Sequence, residues 1–188
     1  MIPDDLKTAV DSLALAEIVL ASIRGDVKET AAIGVDFPPF RLETMRPHPV
    51  SVQSFDADGE GELPRRIQVR VKAGARLIPK GETAPEKGHT EGQKAETEFL
   101  ASVETEFLVT YAERLGAHLS DEALQLFADH NVPFNVWPYW REVVHATFSR
   151  MGLPRVVIPL YRMRKVKDES VRVGDEGNVA EEPKPATQ

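Results

Sequence analysis

The 188-residue sequence contains no cysteine. That absence removes disulfides, thiolate chemistry and cysteine-based metal sites together, and it fits a reducing compartment. No apolar run approaches the ~20 residues needed to cross a bilayer, and the opening M-I-P-D-D lacks the basic region of a signal peptide. A cytoplasmic protein is the expectation. An excess of positive charge is also missing: 23 Lys and Arg stand against 30 Asp and Glu, giving a net charge of -7 and a pI near 5.3. This argues against nucleic acid or an anionic membrane surface as partner, while permitting basic protein partners.

Signatures of catalysis are lacking as well. There is no G-x-S-x-G, P-loop or G-x-G-x-x-G, and the histidines at positions 48, 89, 118, 130 and 145 show neither H-E-x-x-H nor another metal spacing. The run Asp56-x-Asp58-x-Glu60-Gly61 imitates the opening of a calcium loop, but Ile67 stands where a bidentate Glu is required at position twelve. Glu104 and Glu106 share one strand face, a spacing open to paired carboxylates and more simply read as solvated. No enzyme, cofactor or metal site is expected.

What is present suffices for a real core: 41% of residues are hydrophobic and 28% charged. The pattern predicts one α+β domain over residues 1–164 and a polar, disordered tail over 165–188. A short helix beginning near Asp4 gives way to a first strand around Glu17–Arg24, with the switch point left open by the periodicity. Pro38, Pro39, Pro47 and Pro49 predict an extended connection to a second strand at Val50–Phe55. The turn-rich run Asp56–Glu62 predicts a hairpin into a third strand at Arg66–Ala73, where Ile67, Val69, Val71 and Ala73 alternate with polar residues.

Lys80–Lys94, with hardly any apolar side chain, reads as a long mobile loop. A fourth strand follows at Glu98–Tyr111, with Phe99, Ala101, Val103, Phe107, Val109 and Tyr111 inward and Glu98, Glu104 and Glu106 facing Arg66, Arg70 and Lys72. After the break at Gly116, Ser120-Asp121-Glu122 starts a short helix to about Asp129. Four strands followed by helices indicate a four-stranded antiparallel sheet covered on one face.

The densest segment is Asn131–Arg162, which holds both tryptophans. Asn135 reads as an N-cap, Pro138 as a first-turn proline and Gly152 as the C′ residue of a helix over Val136–Met151. Trp137, Trp140, Val144, Phe148 and Met151 recur at spacings of three and four, forming one apolar stripe. The two indoles would bury on the order of 400 Å². Either the helix docks on its own sheet or it is shared between subunits.

This segment resembles the signature region of SecB-type export chaperones. W-P-Y-W-R-E-V-V, followed by S-R-M-G-L-P and V-V-I-P-L, matches a helix, turn and proline-bearing segment through Pro138, Tyr139, Arg141, Glu142, Arg150, Pro154 and Pro159, over about 30 residues. The resemblance implies the SecB-like fold, assembly as a homotetramer built as a dimer of dimers, and capture of unfolded preproteins or other non-native polypeptides to keep them competent for export. It implies that Trp137, Pro138, Tyr139, Trp140, Arg141, Glu142, Val144 and Phe148 form the core and oligomer helix. It also implies docking to the SecA translocation motor through acidic sheet residues, for which Asp26 is a candidate.

The chain departs from the family where Arg162–Gln188 is highly charged in place of a second amphipathic helix, and where the Lys80–Lys94 loop is longer than a tight hairpin requires. Two other readings stay open, a SecB-like chaperone dedicated to one client such as an antitoxin, and an α+β domain holding a small apolar ligand between sheet and helices.

Overall fold

The alternation of apolar and polar residues builds an antiparallel sheet in the computed structural model, which describes residues 3–29, 31, 37–55, 64–80, 99–114 and 117–161. Along the chain run α1 (Asp4–Ser12), β1 (Leu13–Val27), β2 (Phe40–Phe55), β3 (Arg66–Pro79), β4 (Ala101–Glu113), α2 (Asp121–His130) and α3 (Val132–Arg150). The four strands form one sheet in the order β1-β4-β3-β2, with every pairing antiparallel. The fold is the expected α+β arrangement, and α1 is the short helix expected near Asp4 ahead of the sheet.

The central strands β3 and β4 carry the core. Ile67 stands opposite Tyr111, Val69 opposite Val109 and Val71 opposite Phe107, and all six are buried. Burying each such side chain stabilises the fold by about 1.5–3 kcal/mol. Above them α3 packs across β2, β3 and β4, while α2 packs on α1, α3 and β2. The opposite face is wet. There Arg76 reaches Glu104 at 3.2 Å and Arg70 pairs with Glu106. Arg66 and Lys72, expected to meet the same carboxylates, form no ion pair among the described residues. Both glutamates thus belong to a solvated strand face.

Every strand reaches beyond the sequence estimate except at the N-terminal end of β4. Strand β1 begins at Leu13, whose N–H closes α1 on Ala9. The unpatterned run Leu13-Ala14-Leu15-Ala16 hides that switch from periodicity. Strand β2 takes in Pro47 and Pro49, read from sequence as a connection. An edge strand tolerates them because one row of its N–H groups has no sheet partner, and the register shifts flanking His48 and Pro49 absorb the rest. Phe99, expected inward on β4, precedes the strand and is only half-buried. Lys28 Nζ lies 4.6 Å from its ring centroid and the Arg76 guanidinium 5.7 Å away.

The helical half needs one correction. Helix α3 starts at Val132, not Val136, and Asn135 is not its cap. Pro133, not Pro138, is the first-turn proline, where a missing N–H costs nothing. Pro138 lies inside the helix on an exposed face, so the carbonyl left without its N–H partner can turn to water. Asn135 instead donates from Nδ2 to the buried Tyr111 hydroxyl at 2.9 Å, tying α3 to β4.

Ser120 caps α2, as expected, by accepting from the Ala123 N–H. Gly152 ends α3 with φ 70°, and Gly152 and Leu153 donate to the Ser149 and Phe148 carbonyls in a Schellman closure. The turn at 56–62 with its calcium-like run, the loop over 81–94, Glu98, Gly116 and the tail 165–188 lie outside the described residues.

Candidate functional site

Immediately after the Schellman turn the chain runs without helix or strand from Leu153 to Tyr161 and straps itself over α3. Its side chains divide by direction. Leu153, Val156 and Ile158 are buried, whereas Val157 and Leu160 are 77% and 76% exposed, more than any other large apolar residue described. Trp137 pins the strap: its indole N–H donates to the Pro159 carbonyl at 3.2 Å, and its ring meets Tyr161 edge-on at 5.2 Å. Phe134, half-exposed, adds a second edge contact to Tyr161 at 5.9 Å. An apolar ridge therefore faces water, held by the aromatic contacts of Trp137, Phe134 and Tyr161 and by the buried Leu153, Val156 and Ile158 rather than by regular secondary structure.

Each end of the strap opens into a cleft. One, of about 450 Å³, lies among Thr44, Arg46, Pro49 and Pro133 beside Tyr161, with Asp129 on its wall. The other, of about 430 Å³, lies at the Leu153–Val156 end against the last turns of α3. Nine extended residues span at most about 30 Å, so the ridge and the two clefts lie within the reach of one peptide segment.

A second unpartnered surface lies along β1. Its register places Leu15, Leu20 and Ile23 opposite Tyr111, Phe107 and Thr105, on the helix-bearing side of the sheet. These three remain exposed, as does Val19 on the other face. At the far end α3 does reach β1: a Cβ on Gly25 would stand 3.1 Å from the Met151 methyl. A side chain there would press on the end of Met151, which would have to give by a few tenths of an ångström.

The two sheet edges are unlike one another. Strand β2 is interrupted by Pro47 and Pro49, which blunt it as a template for further pairing, whereas β1 spans 15 residues without a proline.

The residues singled out in the α3 sequence divide accordingly. Trp137, Trp140, Val144 and Phe148 are buried in this chain's own core, with the two indoles 4.8 Å apart. Trp140 is fully buried, and its Nε1 has no hydrogen-bond partner among the described residues. Pro138, Tyr139 and Glu142 are exposed and Arg141 is half-buried. Asp26, half-buried on β1, pairs with Lys28 at 3.5 Å. The sequence reading missed Phe134, Val157, Leu160 and Tyr161; the one available signal was the inward and outward alternation within R-V-V-I-P-L.

Polar groups behind the surface are structural. Burial pushes the Tyr111 hydroxyl up to about 12, against the smaller opposing effect of the Asn135 hydrogen bond. The buried carboxylate of Glu113 accepts from the Leu119 N–H at 2.7 Å and faces Arg65, which donates to the Leu119 carbonyl. Together they fasten the β4 end to the approach of α2. Among the described residues no three His, Asp or Glu side chains gather to hold a metal ion, and no helix is long and apolar enough to cross a membrane.

No family model and no curated protein matches the chain. Among solved structures it is similar to the SecB-like chaperone Rv1957 of Mycobacterium tuberculosis, a structure in complex with a ChAD peptide from the Rv1956 HigA1 antitoxin. The TM-score is 0.57 at 18% identity, covering 87% of this chain and 100% of that one. That likeness establishes the SecB-like fold.

Proposed function

We propose that this chain is a SecB-like chaperone that captures non-native polypeptides on the apolar ridge formed by the strap over α3. The observation that carries the reading is the exposure of Val157 and Leu160 on a segment whose other side is locked down by Trp137 and Tyr161. An exposed apolar patch of this kind is what an interaction surface presents. Extended clients would add many weak apolar and main-chain contacts, which by themselves select little for sequence. The core between sheet and helices is filled by Trp140, Tyr111, Phe107, Phe127 and Phe148, which favours this reading over a small apolar ligand held in that layer.

Assembly is part of the proposal. The open, proline-free edge of β1, with Leu15, Leu20 and Ile23 uncovered beside it, suits pairing with a second copy as a step toward the homotetramer implied by the sequence resemblance. Service in export, with SecA as partner, is the wider form of the role. A form dedicated to one client is favoured by the antitoxin peptide bound to the similar Rv1957 structure.

Light scattering of the chain alone and with a reduced, unfolded client tests the proposal. A mass that rises with unfolded but not native client supports it, and a client-indifferent monomer overturns it.

A further inference from the structure

The cleft at the α3 end of the strap differs in charge from its surroundings. Its floor is apolar and built from Phe148, Leu153 and Val156, all buried. Its rim carries His145, Ser149 and Arg155, and no carboxylate among the described residues lines it. The cleft at the Tyr161 end includes Asp129, and the depression over Gly74 on the wet face of the sheet includes Glu43 and Glu104. A cationic rim without an acid therefore distinguishes one of these three places in a chain whose net charge is -7.

Two details make that rim available to a ligand. Arg155 is exposed and enters no ion pair among the described residues. The carbonyls of Phe148 and Ser149, which would otherwise turn the negative end of the helix toward an incoming anion, are taken by the N–H groups of Leu153 and Gly152. Arg150, in the last turn, adds a further cation at the same helix end. At about 430 Å³ the cleft lies toward the low end of the roughly 300–1,000 Å³ typical of ligand sites, room for a bulky side chain and its neighbours.

We propose that this cleft reads client sequence: it takes a bulky apolar side chain of an extended segment that carries an Asp or Glu two positions away, the carboxylate meeting Arg155 and His145 at the rim. Side chains two apart on an extended chain lie on one side and about 6.7 Å from each other, a spacing that brings floor and rim within reach together. The inference rests on the reading of the chain as a polypeptide-binding chaperone and adds a local preference for acid-flanked apolar segments.

Fluorescence anisotropy on the full chain tests it with two short labelled peptides that share a central Leu-Phe pair, one flanked by Glu and one by Lys. The Glu peptide is expected to bind on the order of 5-fold tighter at low salt, the size of an exposed ion-pair effect, with the gap closing as salt is added. Arg155→Glu, on an exposed coil position, is expected to reverse the preference without changing the melting temperature, and Ser149→Glu to weaken it. Equal affinities, or a preference that survives Arg155→Glu, overturn the inference while leaving polypeptide capture standing. Failure of both peptides and of a reduced, unfolded client to bind overturns the chaperone reading and this inference with it.

Discussion

The indole N–H of Trp137 donates to the carbonyl of Pro159 at 3.2 Å, so one side chain of α3 holds the strap from which Val157 and Leu160 face water. Pro159 has no N–H of its own to anchor the segment through a backbone donor, and its carbonyl takes over that task. Trp137→Phe keeps most of the ring and removes the donor. It is expected to cost about 1 kcal/mol in denaturant unfolding and to raise amide exchange selectively at 153–161. Unchanged exchange there would mean that Tyr161 and the buried Leu153, Val156 and Ile158 hold the strap without the hydrogen bond.

Assembly and core stability are expected to separate. Trp140 is fully buried within its own chain, and Trp140→Ala should cost about 3–5 kcal/mol by cavity formation. Its mass by light scattering should match that of the parent at temperatures where both are folded. Leu20→Lys with Ile23→Lys, on the uncovered side of β1, should lower the mass with little change in the secondary-structure signal. If the Trp140 variant dissociates and the β1 variant does not, α3 rather than β1 is the shared element.

The buried Tyr111 sets an alkaline limit. Its hydroxyl titrates at about 12 in the folded chain against the ordinary 10.0, chiefly because burial penalises the phenolate. The folded protein keeps a proton that the unfolded chain releases, so this contribution is complete below pH 10 and is lost as pH rises from 10 to 12. The loss amounts to about 3 kcal/mol over that range. Tyr111→Phe should flatten that limb in pH-dependent urea unfolding, at the expense of leaving Asn135 Nδ2 without its acceptor.

How much of this was legible in the sequence depends on how local each cause is. The alternation Ile67-Val69-Val71-Ala73 placed the core face of β3, and spacings of three and four placed Trp137, Trp140, Val144 and Phe148 on one buried stripe. The start of α3 was misplaced because two prolines compete for the first turn, and the choice between Pro133 and Pro138 turns on Asn135 being drawn to Tyr111, a contact 24 residues away in sequence. Prolines 47 and 49 read as a linker because a single sequence does not show which strands are edges. The surface around Val157 and Leu160 was not legible for the same reason. A short apolar run looks alike buried or exposed until the partner that pins it, here Trp137, is in place.

The most direct measurement is client capture by the double variant Val157→Asp/Leu160→Asp. Both side chains project into water, so the substitutions should leave the melting temperature nearly unchanged, within about 0.5 kcal/mol each. Light scattering with a reduced, unfolded client is expected to show a clear rise in mass for the parent and little or none for the variant. Equal capture by the two proteins would contradict the assignment of the strap as the client surface.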